Sequence, residues 1–167
     1  MKTLLLMRHA KSSWKDDKLS DLERPLKKRG KKDTKRIAKV IKENNLVPDV
    51  IISSPAVRTL ETVKILKKDL EFDGKEIVAD NLYMGEPQAF IDTLKGVNNK
   101  HNTVLVVAHN PGLEAYLQMI GGEIEAVPTA GLGYLVLVLE DWKDISLETM
   151  GELVGFWKPK DLREEKE

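Results

Sequence analysis

Residues 103–112 read TVLVVAHNPG, and this stretch decides the class of fold. It opens on a β-branched and apolar run too short for a buried helix, which marks a strand covered on both faces. His109 and Asn110 end the run, with Asn110 the natural cap and Pro111 suited to a first helical position. Leu113, Leu117 and Ile120 then recur at helical spacing. A buried strand that turns directly into a helix belongs to an α/β fold.

The same pattern extends in both directions. Residues 3–7, 50–53 and 77–79 are further short runs expected as buried strands. Ile37, Val40 and Ile41 mark one apolar stripe between them; Thr59, Val63, Leu66 and Leu70 mark another. Pro87 is expected to open a helix that runs through Lys95 and stops at Gly96. After Gly131 the run GYLVLVLE predicts a strand, and residues 152–157 predict one more. One domain is expected over residues 1–160, followed by a charged, frayed tail at 161–167, DLREEKE.

Composition narrows the function. The chain has 167 residues, enough for one sizeable core. Its 27 basic and 27 acidic residues cancel, so no field able to hold a nucleic-acid backbone is expected from the chain as a whole. Lysine and arginine crowd residues 27–42, read as the solvated face of the first helix. The absence of cysteine excludes thiolate zinc sites and every cysteine nucleophile. The apolar run at the start is shorter than a signal peptide needs, and no run is long enough to span a bilayer. A cytoplasmic protein without nucleic-acid or membrane partners is the expectation.

Three strand ends carry the chemistry. The first strand runs into Arg8-His9-Ala10, the second into Ser53-Ser54-Pro55 with Arg58 a turn later, and TVLVVA into His109. Ser54 is expected to cap its helix as Asn110 caps the other. Ligands bind an open parallel sheet at the carboxyl ends of its strands, where helix N-termini aim N–H groups. Two arginines and two histidines converging there would repel one another without an anion between them. A doubly charged oxyanion such as phosphate is the expected ligand. His101, in the polar run NNKHNT, is expected to be exposed and uninvolved.

At these residues a resemblance becomes legible. LLLMRHAKSSW (4–14), SSPAVRTLETV (53–63) and VVAHNPGLEAYL (106–117) resemble the histidine phosphatase superfamily, and in detail its SixA-type phosphohistidine phosphatases. ERPLKKRG (23–30) and PTAGLG (128–133) resemble further segments of that family, in order along the chain. Ala10 stands where the superfamily usually has glycine, a departure familiar in this branch. The resemblance implies a minimal, phosphoglycerate-mutase-like domain: a three-layer α/β sandwich with a mostly parallel central sheet flanked by helices.

The resemblance also implies roles. His9 would be a nucleophile that becomes phosphorylated, kept neutral by surrounding cations. One of its nitrogens would be fixed on a backbone oxygen. Arg8 and Arg58 would hold the phosphoryl oxygens with planar forks, and a protonated His109 would stabilise the charge spreading over them. Ser13, Arg24 and Asn110 are candidate substrate-binding residues. No cofactor or metal is expected. The substrate would be a phosphohistidine-bearing protein or a small phosphorylated molecule. Glu86 is the candidate general acid, and its rival reading is a helix-start residue favoured by the dipole. If Glu86 acts, the alternative is a phosphomonoesterase for small metabolites. A second alternative is a silent phosphoprotein-binding module that keeps the pocket without turnover.

Overall fold

The computed structural model describes residues 1–122, 124 and 126–163. The described strands are β1 (Lys2–Arg8), β2 (Val50–Ser53), β3 (Lys75–Val78), β4 (Thr103–Ala108), β5 (Leu132–Leu137) and β6 (Gly151–Trp157). The helices are α1 (Lys28–Glu43), α2 (Val57–Asp69), α3 (Pro87–Leu94), α4 (Gly112–Gly121) and a short α5 (Pro159–Leu162). One sheet has the order β3-β2-β4-β1-β5-β6. The first four of these are mutually parallel, whereas β5 and β6 are antiparallel to their neighbours. The expected three-layer sandwich with a mostly parallel sheet is what forms.

Alternation along the central strands builds the two outer layers. Leu4, Leu6, Val50, Ile52, Val104 and Val106 face one core, which holds Phe90 and Ile91 of α3 and Leu113 and Leu117 of α4. Leu5, Met7, Ile51, Leu105 and Val107 face the other, with Ile37 and Ile41 of α1 and Val63 and Leu66 of α2. Strands covered on both sides must be apolar throughout, which is why they read as runs rather than alternations.

Several expectations are corrected. β3 is an edge strand with Val78 49% exposed, not a buried one. The strand after Gly131 begins at Leu132 and stops at Leu137, short of the whole run. Ser54 and Asn110 are not N-caps: α2 is capped at Ala56 and α4 at Pro111, so Pro55 and Pro111 precede the first helical residue. Pro87 does occupy the first turn of α3. The expected frayed tail starts too early, because Asp161 and Leu162 belong to α5 and Arg163 donates to Asp33 Oδ2 at 2.8 Å. The rest of that tail, 164–167, lies outside the described residues. His101 is half-buried, and its carbonyl accepts from the Trp142 indole at 2.7 Å.

Gly112 joins the fold to the site. Any methyl group there would collide with the carbonyl oxygen of Gly85, in the loop that carries Tyr83 and Met84. Gly112→Ala is expected to destabilise the protein by about 1–3 kcal/mol through this overpacking, read from urea unfolding. Wild-type stability in that variant would contradict the close approach.

Candidate active site

The parallel strands β2, β4 and β1 are neighbours in one register, pairing Arg8 with Ala108 and Ser53 with Val107. Their carboxyl ends therefore finish side by side, and the residues that follow meet in one cleft of about 340 Å³. Arg8, His9, Arg58 and His109 all line it, as do Arg24 and Asn110.

Arg58, in the first turn of α2, is buried at the centre. Its Nε donates to His9 Nε2 at 3.4 Å, and its Nη2 lies 3.4 Å from His109 Nδ1. On the outer side Nη1 donates to the Asp21 carbonyl at 2.6 Å and Nη2 to Asp21 Oδ2 at 3.0 Å. The two imidazole rings lie 5.2 Å apart between centroids.

Each histidine has one nitrogen fixed from behind. His9 Nδ1 lies 2.8 Å from the Ala10 carbonyl, which can only accept, so Nδ1 carries the proton and Nε2 presents a lone pair. This carbonyl is the backbone oxygen the sequence left unnamed. His109 Nε2 lies 2.6 Å from Ser54 Oγ. With Arg58 donating to Nδ1, the proton of His109 sits on Nε2 and is donated to Ser54. Ser54 is held in turn by Thr59 Oγ1 at 3.0 Å and by the Ala56 N–H at 3.2 Å. Ser54 and Thr59 thus orient His109.

Burial governs the charges. It is the largest cause that pushes His9 down to about 3, followed by the His109, Arg58 and Arg8 charges; together they outweigh the Ala10 hydrogen bond. Burial and then Arg58 push His109 down to about 4, against the pull of Asp21. One expectation changes here: desolvation, rather than neighbouring cations, leads in keeping His9 neutral. His109 too is neutral at pH 7 with the charges the chain supplies. A dianion between the rings would raise His109 again.

Arg8 donates to the Val127 carbonyl at 3.1 Å, but its buried Nε has no protein partner among the described residues. A buried donor left unpaired is costly, and an oxyanion in the cleft would satisfy it. Arg24 is buried too, donating to Ser12 Oγ at 2.7 Å and to Asp21 Oδ1 at 3.1 Å. Asn110 lines the cleft, yet its amide is used inside the chain: Nδ2 donates to the Val127 carbonyl at 3.0 Å and Oδ1 accepts from the Glu114 N–H at 3.2 Å. Ser13 lines a neighbouring groove instead, its Oγ accepting from the Lys15 N–H. Glu86 is exposed, sits at the N-cap of α3 and is not among the residues lining the cleft.

Sequence reasoning missed Asp21 and Tyr83. Tyr83 donates to Asp21 Oδ2 at 2.5 Å and meets His109 edge-on at 5.5 Å. Burial raises the Asp21 pKa, but hydrogen bonds from Tyr83, Arg58 and Arg24 overcome it and leave the carboxyl at about 2. The only signal for Asp21 is its spacing three residues before Arg24, which suits an ion pair. Nothing in the sequence singles out Tyr83. Among the described residues no group of three or more metal-ligating side chains comes together.

This site on this fold defines a class. A family model of the histidine phosphatase superfamily (branch 1) matches residues 4–81. An uncharacterized protein of Mycobacterium tuberculosis is 30% identical over 165 residues, covering 92% of this chain and 100% of its own length. The chain belongs to the histidine phosphatase superfamily. Its fold is shared with an Agrobacterium tumefaciens protein assigned as the phosphohistidine phosphatase SixA, at TM-score 0.81 and 24% identity, covering 95% of this chain and 98% of that one. The protein histidine phosphatase SixA complexed with tungstate matches at TM-score 0.80 and 21% identity, covering 96% and 99%.

The buried imidazoles predict a pH dependence of stability. Each binds its proton more readily unfolded, near the ordinary 6.5, than folded. Their contribution to stability is therefore full above pH 6.5 and is lost as the pH drops through the window down to about 3 for His9 and about 4 for His109. Urea melts around pH 5 should show His9→Asn lowering the slope of stability against pH by about 1.4 kcal/mol per unit. An unchanged slope would contradict a buried, neutral His9.

Proposed function

We propose that the protein is a SixA-type phosphohistidine phosphatase working through a phosphorylated His9. The observation that carries this reading is the His9 ring, with Nδ1 fixed on Ala10 and Nε2 turned to the Arg58 guanidinium. The Nε2 lone pair attacks phosphorus, and the P–N bond to the substrate's imidazole breaks. That imidazole is protonated beforehand and departs neutral. Water then attacks the phosphoryl group on Nε2, which releases inorganic phosphate and restores neutral His9. Arg58 and Arg8 hold the phosphoryl oxygens, and His109, charged once the dianion faces it, supports them. Arg24 belongs to the same site, where it fixes Asp21. The scheme uses no metal or cofactor, and a cytoplasmic setting suits it.

The leaving group separates this reading from a phosphomonoesterase. An alkoxide leaves poorly unless an acid protonates it. Asp21 is in the cleft but is ionised at neutral pH, and Glu86 does not line it. A silent binding module would have no need of a nucleophile so placed. Phosphohistidine peptide and p-nitrophenyl phosphate should be hydrolysed on the order of a hundredfold faster than phosphoserine or sugar phosphates, with Glu86→Gln unchanged on all of them. Efficient alkyl phosphate turnover that falls about a hundredfold in Glu86→Gln would overturn this reading in favour of the phosphomonoesterase.

A further inference from the structure

The cleft continues sideways into a surface that a small substrate would never touch. Trp14 lines the cleft and also an adjoining groove of about 690 Å³, whose walls include Pro25, Leu26 and Lys27. Trp14 is 71% exposed, yet it is held: the Arg24 guanidinium lies 3.4 Å from the centre of its ring. The groove floor is equally fixed. The Ser13 N–H donates to the Pro25 carbonyl and the Lys27 N–H to the Lys11 carbonyl, both at 2.8 Å.

Lys28 and Arg29 then pass the surface on to a second hollow, of about 430 Å³, completed by Lys32, Arg36 and Arg163. Asp33 sits beneath it with a side chain only 2% exposed, paired with Arg36, Arg163 and, more loosely, Arg29. One carboxylate thus holds two guanidinium groups closely and a third loosely, and Lys28 and Lys32 have no ion-pair partner among the described residues. Among the described residues the hollow is lined by five cations, three of them paired with Asp33, on a chain whose total charge is zero. The concentration is local and begins beside the cleft.

We infer that this strip, from Trp14 across Lys28 and Lys32 to Arg163, docks the acidic surface of a protein that presents its phosphohistidine to the cleft. The inference rests on the phosphohistidine reading and adds the kind of partner. A preordered exposed tryptophan beside a groove with apolar walls is the anchor that protein interfaces use, at little entropy cost. Lys28 at its rim and Lys32 in the adjoining hollow, without ion-pair partners among the described residues, favour an acidic partner and hasten encounter. A nucleic acid or lipid headgroup would meet the cations but make poor use of the apolar groove.

The test uses two histidine-phosphorylated peptides of equal length, one flanked by glutamates and one by lysines, with p-nitrophenyl phosphate as control. The wild-type enzyme should show a KM for the glutamate peptide on the order of tenfold lower than for the lysine peptide at low salt. In Lys28→Glu/Lys32→Glu that preference should vanish, with kcat and aryl phosphate turnover unchanged. Equal KM values in the wild type, or a preference that survives in the variant, would overturn the docking strip. If neither peptide is turned over while the aryl phosphate is, the phosphohistidine reading fails by itself. Docking is then decided by fluorescence anisotropy of the labelled, unphosphorylated glutamate peptide, which must bind wild type more tightly than the variant. Tighter binding of single-stranded RNA or phosphatidylserine vesicles, lost in the same variant, would overturn a protein partner.

Discussion

A guanidinium packed between two imidazoles constrains everything else in this molecule. Arg58 approaches both rings at 3.4 Å, which is tolerable without an intervening anion only while both are neutral. Burial keeps them so, and burial comes from the sheet: β2, β4 and β1 end together under the loops that carry Asp21 and Tyr83. Charge, tautomer and topology are therefore one problem. The Ala10 carbonyl settles the proton on Nδ1 of His9, and Arg58, which can only donate to Nδ1, settles it on Nε2 of His109.

Asp21 closes the arrangement from the solvent side. Its backbone and side chain occupy the outer edge of Arg58 while Oδ1 takes Arg24, so one partly exposed residue aligns two buried arginines. A carboxylate so bonded cannot supply a proton at neutral pH, which bears on the choice of leaving group. Arg24 carries the order outward to Trp14, so the cleft and the neighbouring surface share one support.

The strand ends were legible because burial on both faces writes an unmistakable run, and because parallel neighbours must finish at the same edge. Arg8, His9, Arg58 and His109 were found together by that route alone. Asp21 and Tyr83 were not, since each reaches the cleft from a single 3-10 turn or its end, whose path depends on tertiary packing. The prolines misled for a related reason: Pro55 and Pro111 suit a first helical position, but Ser54 and Asn110 use their side chains for tertiary contacts or across the turn. Ser13 lies only four residues after His9, yet its pairing with Pro25 turns it into the neighbouring groove. Proximity along the chain says little once a loop is pinned elsewhere.

The central claim is that His9 Nε2 forms a bond to phosphorus, and the most direct measurement is the phosphorylated residue itself. Brief exposure to radiolabelled substrate, rapid quenching and peptide mapping should find acid-labile, alkali-stable label on His9, absent from His9→Ala. Label on another residue, or wild-type turnover by His9→Ala, would contradict the account.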